Sequence, residues 1–418
     1  IVGGHSLLQL LNTTFSNEGQ IRLISWVVGQ NEQQLSLATW SSRQKLVNAF
    51  TRFSGLRDRV RLVAKLVSHI PINGDRIHVL LKDSFDIPRL QLQLVLAGTL
   101  ASINVVLLLT WAIGIVPGYW ILTFLGYGFL MLMTGGRLNH VFERTLNLQM
   151  ELQKLAAVIG VLEKRSFSRE QAVYQVTEPF RIGDGPPSLA IKQLARICSG
   201  LSIKGHPLIH IAVNLMGPWD MAWTWYLQKV CQRLRPVLPV WIEQVATIDA
   251  TMTLGNFAYL NPDYVWPKQR ENPSNKEMGV MTTEVGHPLL AHEQRIRNNF
   301  SLQGVGELFL VTGSNMSGKS TFLRTIGINV CLAQAGGPVC AKSWEWSWMR
   351  IHSCLCIGDS LEEGLSYFYA EVKRLKRILL AASNQESHPV LFLIDEIFKG
   401  TNNRERLLGS EAFIRELI

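Results

Sequence analysis

A glycine-rich loop constrains this chain more than any other feature. The apolar run Leu308-Phe-Leu-Val-Thr312 leads into Gly313-Ser-Asn-Met-Ser-Gly318-Lys319-Ser320-Thr321, and a helical pattern follows. That order predicts strand, loop and helix, the local arrangement of an α/β domain. Glycines let backbone N–H groups turn inward, and a helix start directs further N–H groups and the positive end of its dipole at an anion. The candidate phosphate-binding set is therefore Gly313, Ser314, Asn315, Met316, Ser317, Gly318, Lys319, Ser320 and Thr321. The Lys319 amine would reach the β- and γ-phosphates of a nucleotide, and the Ser320 hydroxyl would hold Mg²⁺. A plain glycine turn before a helix is the competing reading.

Roughly 75 residues further on, Val390-Leu-Phe-Leu-Ile-Asp395-Glu396 is a continuous apolar run closed by two carboxylates. Such a run suits a strand of a parallel sheet that is buried on both faces. Asp395, at its C-terminal end, is placed to bind the water shell of Mg²⁺. Glu396 would polarise an attacking water as general base. An ordinary strand end could carry the same pair, but its place downstream of the glycine loop favours an ATP-hydrolysing site with ATP and Mg²⁺ as cofactors.

The loop also resembles the form found in the MutS family, in which Asn-Met sits inside the glycine pattern. Further matches follow in order: Gly286-His287-Pro288-Leu289, Asn298-Asn299-Phe300, Ala335-Gly-Gly-Pro-Val-Cys-Ala341, Asp359-Ser360, Gly364-Leu-Ser366-Tyr-Phe368-Tyr-Ala-Glu371, and Asp395-Glu-Ile-Phe-Lys-Gly400-Thr401-Asn402-Asn403. The resemblance is dense over about residues 284 to 418 and looser before that. It implies a C-terminal α/β P-loop NTPase domain of the ABC/MutS type, preceded by a mostly α-helical core and lever region. Ser366 reads by itself as a helix N-cap. The resemblance gives it a catalytic role instead, pointing at the γ-phosphate held by a partner subunit, so the implied active form is a homodimer. DNA is the partner the family implies. However, mismatch-recognising members carry a Phe-x-Glu wedge, and no Phe-x-Glu occurs here. The transporter signature Leu-Ser-Gly-Gly-Gln is also absent.

No charged side chain occurs between Arg89 and Arg137. Leu94 to Ile115 is long enough to cross a bilayer core of about 30 Å as a helix. Pro117-Gly118 makes a turn, and Tyr119 to Met133 returns as a shorter stretch. Lys82 and Arg89 precede the gap, and Arg137 and Arg144 follow it, which predicts a transmembrane hairpin over 94–133 with both ends cytoplasmic. The expected location is a bacterial inner membrane, with the ATPase domain in the cytoplasm. A buried helical hairpin is the competing reading. The whole chain most resembles a bacterial branch of MutS-like proteins with such hairpins.

The remaining sequence fills in the organisation. Residues 43–89 carry ten Lys/Arg against four Asp/Glu, an excess better explained by an anionic membrane leaflet than by nucleic acid. A helix is expected over 140–165, with further helices over 188–259 whose tryptophans (Trp219, Trp223, Trp225, Trp241) read as core packing. The expected domains are a basic N-terminal segment 1–90, the hairpin 91–137, a helical domain with its linker 138–275, and the ATPase domain 276–418. Six scattered cysteines without a C-x-x-C pair predict reduced thiols. Ile1-Val-Gly-Gly4 and Gly358-Asp-Ser360 mimic protease segments but lack the context that would make them one. The chain starts at Ile1 without Met and stops inside a helical pattern, so it is expected to be a fragment. The function expected is a membrane-anchored dimeric ATPase that binds DNA; the alternative is a membrane-tethered ATP-driven switch acting on a protein or lipid.

Overall fold

The structure, a computed structural model, describes residues 6–29, 37–82, 87, 89–145, 148–168, 171–182, 185–270, 274, 277–355, 367–384, 388–398 and 402–417. It is mostly helical and divides into two compact units. One comprises residues 1–13, 20–54 and 250–418, the other residues 14–19 and 55–249.

The first unit holds all the sheet structure of the described residues. Strands β1 (Lys268–Gln269), β2 (Gly279–Val285), β3 (Asn298–Gln303) and β4 (Ser343–Trp346) form one sheet in the order β1-β4-β2-β3. β1 and β4 are parallel and the other pairs antiparallel. Trp344 and Trp346 alternate with Glu345, so the period-2 rule sends both indoles to the buried face. There Trp346 meets Trp40 edge-on at 5.8 Å, and the Trp40 indole donates to the Ala333 carbonyl at 2.9 Å. These contacts tie helix Leu37–Arg52 to the C-terminal sheet. Residues 20–54 accordingly group with 250–418 in one unit.

Strands β5 (Arg350–Cys354) and β6 (Val390–Ile394) form a second, parallel pair. Leu391 and Leu393 face the large tryptophan-containing core, whereas Phe392 and Ile394 pack with Leu375, Ile378 and Phe413. Both faces of β6 are covered, as a continuous apolar run predicts.

The second unit is helical. Helix Leu90–Ala112 and helix Trp120–Thr145 pack against each other across the charge gap, joined by a turn containing Gly114 at φ 78°. Helix Leu148–Glu163 is buried along most of its length and packs on helix Pro187–Ser202. Residues 140–145 and 148–163 are helical, within the helix expected over 140–165. Asp249 anchors the unit's buried polar network. Its carboxylate accepts from the Phe15 and Ser16 amides and, at 2.6 Å, from the Ser16 hydroxyl.

Candidate functional site

The glycine loop opens helix Lys319–Gln334, as the sequence predicts. Gly313 (φ 154°), Met316 (φ 64°) and Gly318 (φ 91°) take left-handed backbone angles. The two glycines do so without a Cβ penalty, while Met316 bears one and is fully exposed. A Cβ on Gly318 would meet nothing within 4 Å, so backbone conformation rather than crowding requires glycine there. The Lys319 ammonium turns back over the loop and donates to the Gly313 and Ser314 carbonyls at 2.8 and 2.7 Å. Its charge therefore sits at the loop mouth, held by two weak neutral acceptors that an anionic oxygen would readily replace.

The lead-in differs from expectation. Leu308–Thr312 pairs with no strand among the described residues, and Phe309 and Leu310 are 52% and 74% exposed. Beside it an apolar cleft of about 610 Å³ is lined by Phe300, Leu302, Phe309, Phe322, Leu391 and Leu393. The rings of Phe300, Phe309 and Phe322 pack on one another, with Phe300 edge-on to both. The run is held by side-chain packing instead of a backbone ladder. The loop residues 313–321 do not line the cleft.

Asp395 and Glu396 stand at the C-terminal end of β6. The Asp395 amide extends the pairing by donating to the Cys354 carbonyl at 3.0 Å. The loop helix packs on β6, with Gly327 directly over Leu393, where an added Cβ would come within 2.7 Å of Leu393 Cδ1. The glycine loop and the carboxylate pair are thus carried by adjoining elements. Glu396 is exposed and left-handed (φ 55°), and the half-buried Phe398 is left-handed too (φ 53°). Two such residues so close together store roughly 1–3 kcal/mol each and persist only where neighbours impose them. Two neighbours do. The buried Glu371 carboxylate accepts from the Phe398 amide, and Arg406 donates to the Ile397 carbonyl at 3.0 Å. Asn402 caps the following helix Asn403–Leu417 by accepting from the Glu405 amide.

Sequence reasoning did not single out Asn329, which is wholly buried in the loop helix. Its amide donates to the Gly286 and Thr325 carbonyls and its oxygen accepts from the Cys340 amide, knitting the end of β2 and the Ala335–Ala341 segment to the helix. An Asn on the apolar face of a helix was the available signal. His287 accepts from the Leu289 amide. Burial, with Arg324 and Arg295 nearby, holds the imidazole below its ordinary pKa and hence neutral. Ser366, Gly364, Asp359, Ser360, Gly400 and Thr401 lie outside the described residues. Among the described residues no cluster of three or more His, Cys, Asp or Glu could hold a metal ion. The five described cysteines are free and buried.

Residues 309–418 match the family described as MutS domain V. Endonuclease MutS2 of Thermus thermophilus is 34% identical over 133 residues, 32% of this chain and 17% of that protein. DNA mismatch repair protein MutS of Chlorobium phaeovibrioides is 35% identical over 165 residues, 38% of this chain and 18% of its own. The Thermotoga maritima protein of the same name is 29% identical over 197 residues, 46% of this chain and 24% of its own. The chain thus spans only about a sixth to a quarter of the length of these curated relatives.

Proposed function

The chain belongs to the MutS family through residues 309–418, and from that premise we propose that it is a Mg²⁺-dependent ATPase, active as a homodimer and anchored in a bacterial inner membrane with its ATPase domain in the cytoplasm. The observation that carries the catalytic part is the Lys319 ammonium poised over the glycine loop at a helix start. The residues fit the cofactor. Gly313, Ser314, Asn315, Met316, Ser317, Gly318 and Thr321 would wrap the phosphates, Lys319 would neutralise the β/γ charge, and Ser320 with Asp395 would hold the metal. Bound Mg²⁺·ATP supplies the phosphoanhydride to be cleaved and the cation that balances its charge. Glu396 acts as general base on the attacking water, and Glu371 and Arg406 hold the backbone that aims it. Ser366 completes the site from the partner subunit.

Hydrolysis measured on the full-length protein tests this reading. Lys319→Ala should lose binding and turnover, and Glu396→Gln should bind ATP but turn over orders of magnitude more slowly, since positioning and electrostatics carry this chemistry. Wild-type turnover in intact Glu396→Gln assemblies would overturn the general-base role. Mixing Lys319→Ala with Ser366→Ala subunits should restore activity through one intact composite site. No recovery in proven mixed dimers would overturn the shared site.

DNA is the partner carried by the family. A second reading, an ATP-driven switch on a protein or lipid partner, is favoured by where the basic residues go. Arg57 is buried, and Arg43 stacks over the Trp26 ring at 4.4 Å while donating to the Gln334 carbonyl. Part of the basic excess of residues 43–89 is thus spent inside the protein, unavailable to phosphates. Binding to homoduplex, mismatched and branched DNA over a salt series separates the two, because a DNA-binding protein loses affinity steeply with salt.

A further inference from the structure

Helix Pro207–Met216 is inside out. His210, Val213 and Asn214 form its one half-buried stripe, and two of these three are polar. The other side carries Leu208, Ile209, Ile211, Leu215 and Met216, between 54% and 84% exposed. The polar groups are used inward. His210 Nε2 lies 2.7 Å from the Asp220 carboxylate, and the Asn214 side chain accepts from the Asp220 amide at 3.2 Å. The Asn214 carbonyl accepts from the Tyr127 hydroxyl of helix Trp120–Thr145. In water a helix folds with its polar face out; here Leu208, Ile209, Ile211, Leu215 and Met216 all point away from the protein.

An apolar helix of this length is normally a buried core helix or a re-entrant or interfacial membrane segment. The first is excluded, because none of its residues is buried. At 10 residues it is about 15 Å long, too short to cross a bilayer. It is tied by Tyr127 to a hairpin whose own surface is apolar. It is followed, after Gly217-Pro218, by a chain of touching aromatic rings, Trp219, Trp223, Tyr226 and Trp225, at 5.3, 6.3 and 5.1 Å. Lys229 lies 3.9 Å from the centroid of the Trp225 ring. Indole and phenol rings beside a cation are the composition that settles at the headgroup level.

We propose that helix Pro207–Met216 is a third membrane element, which seats its Leu208, Ile209, Ile211, Leu215 and Met216 face among lipid acyl chains beside the hairpin without crossing the bilayer. This rests on the reading of helices Leu90–Ala112 and Trp120–Thr145 as a membrane hairpin. The inward His210–Asp220–Asn214 group closes the polar side of the helix, which a lipid environment requires because it offers no hydrogen bonds.

Single cysteines at Leu208, Ile211 and Leu215, in the full-length protein reconstituted in phosphatidylcholine–phosphatidylglycerol nanodiscs, are labelled with an environment-sensitive fluorophore and quenched with brominated acyl chains. Val106 serves as the hairpin site and Glu411 as the aqueous site. Quenching at all three helix positions, comparable to Val106 and absent at Glu411, is the expected result. Quenching at Val106 alone overturns the inference while leaving the hairpin. A blue-shifted but unquenched signal at 208, 211 and 215 also overturns it, by showing that protein, such as a second copy, covers the face. No quenching anywhere removes the hairpin reading and this inference with it.

Discussion

Two helices of 23 residues, Leu90–Ala112 and Leu238–Leu260, are both apolar nearly all round, yet they end in opposite surroundings. In the first only Leu90 and Ala97 are buried, while Leu92, Val95, Val106, Leu109 and Trp111 are exposed. In the second Trp241, Val245, Ile248, Met252, Leu254 and Phe257 are all buried. Total apolarity does not distinguish them; burial does, and with it the reach of one buried carboxylate. In Leu90–Ala112 the Thr99, Ser102 and Thr110 hydroxyls donate back to carbonyls of their own helix. Such self-satisfaction needs no partner and suits a solvent that offers none. In Leu238–Leu260 Asp249 reaches outward to Phe15 and Ser16 and binds the chain to its neighbours. Gly255 lets the helix close on Phe50. A helix meant for protein carries groups that demand specific partners.

The sharpest way to break this comparison is to place the same charge in both helices. Leu254→Asp puts a carboxylate at a site with no exposure, and the fold should lose on the order of 4 kcal/mol or more. Val106→Asp, at a position 58% exposed, should leave detergent-solubilised stability within about 0.5 kcal/mol of wild type. In the membrane it should cost about 3 kcal/mol of insertion and shift protein to the unanchored fraction. Denaturant unfolding in detergent and fractionation of cells read the two effects. If Val106→Asp unfolds the protein as Leu254→Asp does, Leu90–Ala112 is a core helix.

The second effect is a pH dependence that only the protein-bound helix should show. Burial pushes the Asp249 carboxyl up to about 7, against hydrogen bonds from Ser16 and Phe15 and the charge of Arg61. The unfolded chain titrates near the ordinary carboxyl value of 3.8, so between there and pH 7 the folded state binds the extra proton. Stability from this group is therefore greatest at the acid end, falls as pH rises through that window, and levels off above it. The full difference is at most roughly 4 kcal/mol. Asp249→Asn, which keeps an acceptor but never ionises, should lack this slope, so that subtracting its unfolding profile from that of the wild type isolates the slope between about pH 4 and 7. A difference profile that stays flat from pH 4 to 8 would show that Asp249 ionises freely in the fold.

Much of this was readable from the sequence, for reasons that differ by region. The glycine loop declares itself because phosphate chemistry fixes residue types at fixed spacing, and the loop does open a helix. The strand ending in Asp395-Glu396 is legible because burial on two faces demands an unbroken apolar run. The lead-in Leu308–Thr312 reads as the same kind of strand but is held by Phe300 and Phe322 instead of a ladder. Local composition records apolarity and says nothing of which edge is free to pair. The inverted helix Pro207–Met216 was invisible for a related reason, since apolarity does not reveal which face meets protein. Trp219, Trp223 and Trp225 read as core, yet they are only half-buried, and of the four tryptophans named there Trp241 alone is buried. Glu371 and Arg43 look like surface charges until their partners, distant in sequence, are known.

The smallest effect tests the role of glycine in the two helices. At Gly255 an added Cβ would lie 3.1 Å from Phe50 Cβ and 3.2 Å from the backbone of Phe50 and Thr51. Backbone cannot rotate away as a side chain can, so Gly255→Ala forces helix Leu37–Arg52 and helix Leu238–Leu260 apart. Overpacking of this kind costs about 1–3 kcal/mol, set against a helix-propensity gain of up to about 1 kcal/mol. At Gly98 a Cβ would meet nothing within 4 Å, so Gly98→Ala keeps the propensity gain and should be neutral or stabilising by up to about 1 kcal/mol. Opposite signs in detergent-solubilised unfolding midpoints are expected. A loss at Gly98 comparable to that at Gly255 would mean that Leu90–Ala112 also lies against a close neighbour, and the contrast between the two helices would have to be redrawn around that contact.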